Sequence, residues 1–208
     1  MMAEAPVRLP RVLNVGSGTL SNRSRHPVFG TGWEEIRLDI DASTKPDILA
    51  SITNMREAVA SQSMDAIFAS HIMEHLYDHE VMQALSEFRR VLRPDGFLII
   101  NSPDVEIVAQ IILEHGLDHV VYQSPAGPIS AADMLYGHGR SIKAGNVFMA
   151  HKTGFTCARL GNMLIDCGFP TVLGKRGDRY DLWAVALMEN ADQQAIQSAL
   201  KRNGLDMF

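Results

Sequence analysis

The strongest constraint in this chain is a repeated alternation of short apolar runs with segments of helical periodicity. Arg11 to Val15 (RVLNV) is apolar and ends at Gly16, the signature of a buried strand followed by a turn. Glu35 to Asp39 (EIRLD) is a second run, Asp47 to Ile52 (DILASI) a weaker third, and Met64 to Ala69 (MDAIFA) a fourth. The fifth, Gly96 to Asn101 (GFLIIN), is the most apolar. Between the last two, Val81, Met82, Leu85, Phe88, Val91 and Leu92 fall close to helical spacing, until Pro94, Asp95 and Gly96 stop the helix. From Pro103, DVEIVAQIILEHG reads as another helix, closed by Gly116. Such alternation feeds a sheet through crossover connections.

The later chain modifies this pattern. Residues 117 to about 150 carry glycines, prolines, aromatics and histidines without steady periodicity, as expected of a lid, an acceptor-site segment or a loop. Phe155 to Cys167 reads as a helix ended by Gly168. Phe169 to Leu173 and Leu182 to Met188 then read as strands. The connection between them is too short for a helical crossover, so they should pair as an antiparallel hairpin. From Asn190 onward the chain looks like a polar, fraying helix. The expected class is therefore α/β: a Rossmann-like, doubly wound, mostly parallel seven-stranded sheet with a terminal antiparallel hairpin. With 208 residues, one domain is expected over 1–208.

Composition narrows the function. A net charge of −5 argues against a nucleic-acid binder, which needs a basic face to displace counterions. The short basic clusters Arg23, Arg25, His26 and Lys175, Arg176, Arg179 read as solvated loops. Two cysteines ten residues apart, Cys157 and Cys167, form no disulfide framework and suggest a reducing compartment. No secretory pattern and no apolar stretch of membrane-spanning length is visible, so a cytoplasmic protein without a membrane partner is expected.

The turn NVGSGTL (Asn14 to Leu20) follows the first strand directly, and Gly16 and Gly18 let main-chain N–H groups approach a ligand. Asp39 and Asp41 close the second strand, where a carboxylate can accept ribose hydroxyls. In order, the glycine turn, the acidic strand end, the segment ASHIMEH and the helix end RVLRPDG (Arg90 to Gly96) resemble the class I S-adenosylmethionine-dependent methyltransferases. Leu13 to Gly16, Tyr136-Gly137 and His151 to Phe155 (HKTGF) resemble a small bacterial predicted-methyltransferase subgroup. This resemblance covers roughly residues 11 to 188. It implies S-adenosylmethionine as cofactor, with Gly16, Ser17 and Gly18 facing its methionine part and Asp39 its ribose. It also implies Ile40, Ser51 and Ile52 beside the adenine, and Ser70 and His71 bordering the sulfonium and the transfer site.

Against that pattern, Leu20 replaces a third glycine, Asn14 an acidic residue, and Ser51 an aspartate. The stretch after the turn contains Pro27, Gly30 and Gly32 and makes a poor helix. Losing a helix N-terminus there matters less to a phosphate-free methyl donor than to a dinucleotide. The leading expectation is methyl transfer to a small-molecule acceptor such as a sugar or carboxylic acid. The alternatives are a non-catalytic binding or scaffold protein on the same fold and, more remotely, an NAD-dependent oxidoreductase. His71 and His151 are the candidate catalytic residues, with His75 and His138 as further candidate bases. Tyr136, His138, Arg140, Lys143 and His151 are candidates to meet the acceptor. His71, His75 and His79 repeat an i,i+4 spacing but lack the glutamate frame of a zinc helix, so no metal is expected.

Overall fold

The computed structural model describes residues 8–19 and 26–207; Leu20, Arg23 and Arg25 lie outside the described residues. Nine strands are described: β1 (Arg11–Val15), β2 (Glu34–Asp39), β3 (Ile48–Leu49), β4 (Met64–Ser70), β5 (Leu92–Pro103), β6 (Val120–Ser124), β7 (Gly127–Ser130), β8 (Thr171–Arg176) and β9 (Asp181–Leu187). Six α-helices accompany them: α1 (Asp78–Val91), α2 (Val105–His115), α3 (Ala131–Tyr136), α4 (Gly139–Lys143), α5 (Cys157–Asp166) and α6 (Gln193–Arg202). Seven strands form one sheet in the order β3-β2-β1-β4-β5-β9-β8. The first five are mutually parallel, and β9 runs antiparallel to both β5 and β8, as the short β8–β9 connection demands.

Period-two alternation divides the sheet between two cores. Leu13, Val15, Leu38, Ile67, Leu98 and Ile100 face one side, where Leu85 and Phe88 of α1 and Leu160 and Leu164 of α5 cover them. The RVLRPDG element turns out to be a structural lock on this side. Arg90 donates two hydrogen bonds to Glu87, at 2.7 and 2.8 Å, and a third to the Val59 carbonyl at 3.0 Å. Glu87 in turn accepts the Met55 N–H at 2.7 Å, and Arg90 holds its carboxyl below the usual carboxylate range.

The second face carries Val12, Phe68, Phe97, Ile99, Val185 and Leu187. Residues 26–33, where a crossover helix would ordinarily pack, contain turns and no helix. Phe29 fills the gap. Fully buried, it meets Trp33, Phe68 and Phe97 at ring distances of 5.1, 5.9 and 6.0 Å. Leu200 of α6, Leu205 and Met207 complete the cover, so the C-terminal helix is docked into the core.

Three elements differ from the sequence expectation. The third strand shrinks to two residues at the sheet edge, and the chain then turns through a Ser51–Asn54 bridge. β5 starts at Leu92, so Pro94 to Gly96 lie within the strand rather than before it. Glycine suits position 96 because a β-carbon there would come within 2.9 Å of the Asp65 carbonyl oxygen. Residues 117–150 are ordered into the β6–β7 hairpin, two short helices and a 3-10 turn at Val147–Met149. Tertiary fixtures hold these pieces: a Ser130–Asp133 capping box, Gly137 at φ 94°, and a Gly137–Ala150 bridge.

Phe29→Ala is expected to cost about 3–5 kcal/mol of stability, read as a lower urea midpoint. A loss below about 1 kcal/mol would show that other groups close this face.

Candidate functional site

Strand order reverses around β1: β2 lies on one side and β4 on the other, so a ligand crevice opens beyond their C-terminal ends. The glycine turn sits at that point. Gly16 and Gly18 adopt φ values of 65° and 60°, in the left-handed region open to glycine at no steric cost. The Gly16 and Ser17 N–H groups both donate to the Leu38 carbonyl, at 2.9 and 3.3 Å. A β-carbon on Gly16 would meet Ile72 at 2.6 Å, which ties the turn to the end of β4; one on Gly18 would meet nothing within 4 Å.

Asp39 is 8% exposed and turned toward this loop. Its Oδ2 accepts the Gly18 N–H and its Oδ1 the Asp41 N–H, each at 2.9 Å. Each oxygen keeps a further lone pair for a ligand hydroxyl. Behind it, the buried Arg37 guanidinium donates to the Lys45 and Thr44 carbonyls at 2.9 and 3.1 Å and to the Gly18 carbonyl. Arg37 therefore holds the glycine turn from below. Ile40 next to Asp39 is 52% exposed, and the Ser17 hydroxyl is buried with no hydrogen-bond partner. The open space above Gly18, the orphaned Ser17 hydroxyl and the exposed Ile40 fit an adenosine-bearing ligand with a polar amino-acid end. Two expected contributors stand differently. Ile52 is 6% exposed and packs in the core, while the Ser51 hydroxyl is engaged by Thr53 at 2.8 Å.

At the end of β4, Ser70 and His71 line a cavity of about 960 Å³. Its walls include Phe68, Tyr122, Tyr180 and Trp183; its polar groups include Asn101, Asp181 and Arg179. Asp181 accepts from Asn101 Nδ2 at 2.8 Å and from Trp183 Nε1 at 3.0 Å. Tyr122 of the β6–β7 hairpin lies nearly parallel to Tyr180, 6.2 Å between ring centres. Lys175 donates to the Asp206 carbonyl and Arg176 pairs with Asp104 and Glu106, leaving the Arg179 guanidinium without an ion pair among the described residues.

His71 and Tyr180 are strained members of the site, non-glycine residues at φ 50° and 61°; His71 is held by its N–H donating to the Asn101 carbonyl at 2.9 Å. Its Nδ1 faces Glu74 Oε1 at 3.3 Å, which leaves Nε2 as the other ring nitrogen. Glu74 is 2% exposed, and its Oε2 accepts the Ser102 hydroxyl at 3.0 Å. Burial opposes protonation of His71, but contact with Glu74 and its charge outweigh this and raise the imidazole above its usual range. Burial likewise opposes ionisation of Glu74, yet His71, His75 and His151 hold its carboxyl below the ordinary value.

Among the lid candidates, Tyr136, His138, Arg140, Lys143 and His151 do not line the cavity. His138 contacts Ser141 at 2.7 Å, Arg140 donates to the Ala126 carbonyl, and His151 joins Glu74 and His75. Tyr122, Tyr180, Asp181 and Trp183 instead carry the cavity. Only the resemblance of the terminal hairpin could have pointed to the last three, and nothing periodic marks Tyr122.

Residues 13–100 match a family model described as a methyltransferase domain. The chain is similar in fold to a SAM-dependent methyltransferase from Archaeoglobus fulgidus, at 15% identity and TM-score 0.54, over 86% of each chain. It is similar to one from Methanosarcina mazei, at 15% identity and TM-score 0.54, over 88% of this chain and 94% of that one. A third is the Burkholderia thailandensis 1,6-didemethyltoxoflavin-N1-methyltransferase, solved with 1,6-didemethyltoxoflavin and S-adenosylhomocysteine bound. There the identity is 15% and the TM-score 0.54, over 87% of this chain and 72% of that one. No curated protein matches the chain in sequence. Residues 13–100 thus match a methyltransferase domain, and the fold of the chain is the one that these S-adenosylmethionine-dependent methyltransferases share. Among the described residues, no helix is long and apolar enough to cross a membrane.

Arg37→Met is expected to lower the unfolding free energy by about 2–3 kcal/mol, because three carbonyls lose a charged donor. Amide exchange at Gly18 should quicken; exchange as slow as in the wild type would mean that the turn keeps its shape without the guanidinium.

Proposed function

We propose that this chain methylates a small hydroxyl-bearing molecule held in the cavity at the end of β4, with His71 as the general base. The observation that carries the reading is the meeting of two features on one strand end. Ile72 packs against the glycine turn, while the adjacent Ser70 and His71 line the cavity. Donor and acceptor would thus approach from neighbouring strand ends, the arrangement an in-line transfer requires. Bound S-adenosylmethionine supplies an electrophilic methyl group on a sulfonium.

The chain's own residues divide the remaining work. Asp39 and the Gly16–Gly18 turn hold the ribose and the amino-acid end, and Ile40 covers the adenine. Ser51 lies at the margin of that pocket, and Ile52 supports it from the core. His71 Nε2 accepts the proton that the acceptor loses, while Glu74 fixes the ring through Nδ1. Of the two acceptor chemistries open from the sequence, the cavity favours a sugar. The Tyr180 and Trp183 faces suit an apolar ring surface, and the Asn101 Oδ1 and Asp181 carboxylate can accept from sugar hydroxyls. Arg179 supports the second chemistry, a carboxylic acid, because its charge is unpaired there. His151 lies outside the cavity, so its contribution to transfer would be indirect.

Calorimetric titration with S-adenosylmethionine tests the donor site. Asp39→Asn is expected to weaken that binding roughly tenfold to a hundredfold, the value of hydrogen bonds to a charged group. No binding by the wild type at millimolar ligand would end the reading. For the transfer step, the purified chain is incubated with a panel of sugars and hydroxy acids and its products are weighed by mass spectrometry. His71→Ala should lower kcat by about 10²–10⁴ while leaving S-adenosylmethionine affinity unchanged. Donor binding with no turnover across the panel would favour the scaffold alternative.

A further inference from the structure

We propose that Glu74, His75 and His151 form a binding site for a divalent transition-metal ion of the zinc class. One ligand atom from each lies within 4.8 Å of the other two. The two imidazole rings stand edge to face, 4.9 Å between centres. Their tautomers follow from their partners. His75 Nδ1 lies 3.1 Å from the Ala150 carbonyl oxygen, and His151 Nδ1 lies 3.0 Å from that of Met134. A carbonyl only accepts, so each Nδ1 carries the proton, and each Nε2 presents a lone pair. Ring N–H groups anchored on backbone carbonyls are the outer shell found around metal-bound histidines.

The third member supplies the negative charge that a cation would meet. Glu74 is 2% exposed; its Oε2 accepts the Ser102 hydroxyl and its Oε1 faces His71 Nδ1 at 3.3 Å, so each oxygen keeps a further lone pair. A cation among them would be held by one carboxylate oxygen and one ring nitrogen from each histidine. Two imidazoles and one carboxylate are a donor set that suits zinc and leaves a coordination position open. Sequence spacing pointed elsewhere: His79 stacks against Tyr77 instead, and the ligand that matters, His151, comes from 76 residues beyond His75. An ion here would fasten the α3–α4 segment to the turn that also carries His71. The proposal stands on side-chain geometry alone and is independent of the methyl-transfer reading.

The test uses the full chain, stripped with a chelator and titrated with zinc chloride by calorimetry in the absence of S-adenosylmethionine. One tight site per chain is expected, and Co²⁺ in its place should give the intense visible bands of a low-coordinate, nitrogen-ligated ion. His75→Gln and His151→Gln should each weaken that site at least roughly tenfold and abolish the Co²⁺ bands. His115→Gln, which alters the exposed His115–His119 pair, should leave both unchanged. A wild-type chain that takes up no stoichiometric zinc overturns the proposal whatever the variants do. So does tight binding that survives both substitutions, or that disappears only with His115→Gln. The circular dichroism of each variant is recorded in parallel, and if one fails to fold, the other decides.

Discussion

The hydrogen bond from the Gly18 N–H to Asp39 is the contact on which the donor end of the molecule depends. It joins the turn after β1 to the end of β2 and so fixes the crevice between the two strands on either side of the reversal. Arg37, two residues earlier and so on the same face as Asp39, reinforces it by holding the Gly18 carbonyl. A charged side chain thereby ties the turn after β1 to the segment that follows β2. The aromatic cluster around Phe29 fills the corresponding space on the sheet, so backbone support and core cover are supplied separately.

A second organising contact lies at the end of β4. Glu74 is buried beneath three histidines and Ser102, and it divides them into two groups. His71 lies on the cavity side; His75 and His151 lie on the side of the α3–α4 segment. One carboxylate therefore touches both the proposed base and the element that the sequence marks as a lid. Such coupling explains why HKTGF, late in the chain, belongs with ASHIMEH near its middle. The two segments share a carboxylate, and the Glu74 carbonyl also accepts the Lys152 N–H at 2.8 Å.

The cavity is assembled from elements far apart in the chain. β6 brings Tyr122, β5 brings Asn101, and the β8–β9 turn brings Tyr180 and Asp181. Its aromatic faces come from both sides, Tyr122 against Tyr180, so the hairpin that reads as irregular sequence closes the site. The basic residues of the β8–β9 turn are mostly consumed locally: Arg176 holds the buried Asp104 at the start of α2, and Lys175 holds the C-terminal segment.

What the sequence determined by itself is the scaffold and the glycine turn. Strand runs are short and locally apolar, helix stripes repeat within one element, and the glycine turn with Asp39 depends on neighbouring residues. Each of these is a signal that needs no distant partner. Even the antiparallel hairpin follows locally, from a connection too short to cross over. Only the tertiary structure assembled the cavity at the end of β4. Tyr136, His138, Arg140 and Lys143 have the right chemistry in the right segment, yet the folded chain points them elsewhere. The segment's ordered pieces are too brief for periodicity and are held by capping and bridging contacts. Likewise, i,i+4 spacing paired the histidines within one stretch of chain, whereas the real cluster joins residues from two. Local pattern reports which face of an element is apolar; which faces meet is settled by packing across the whole sheet.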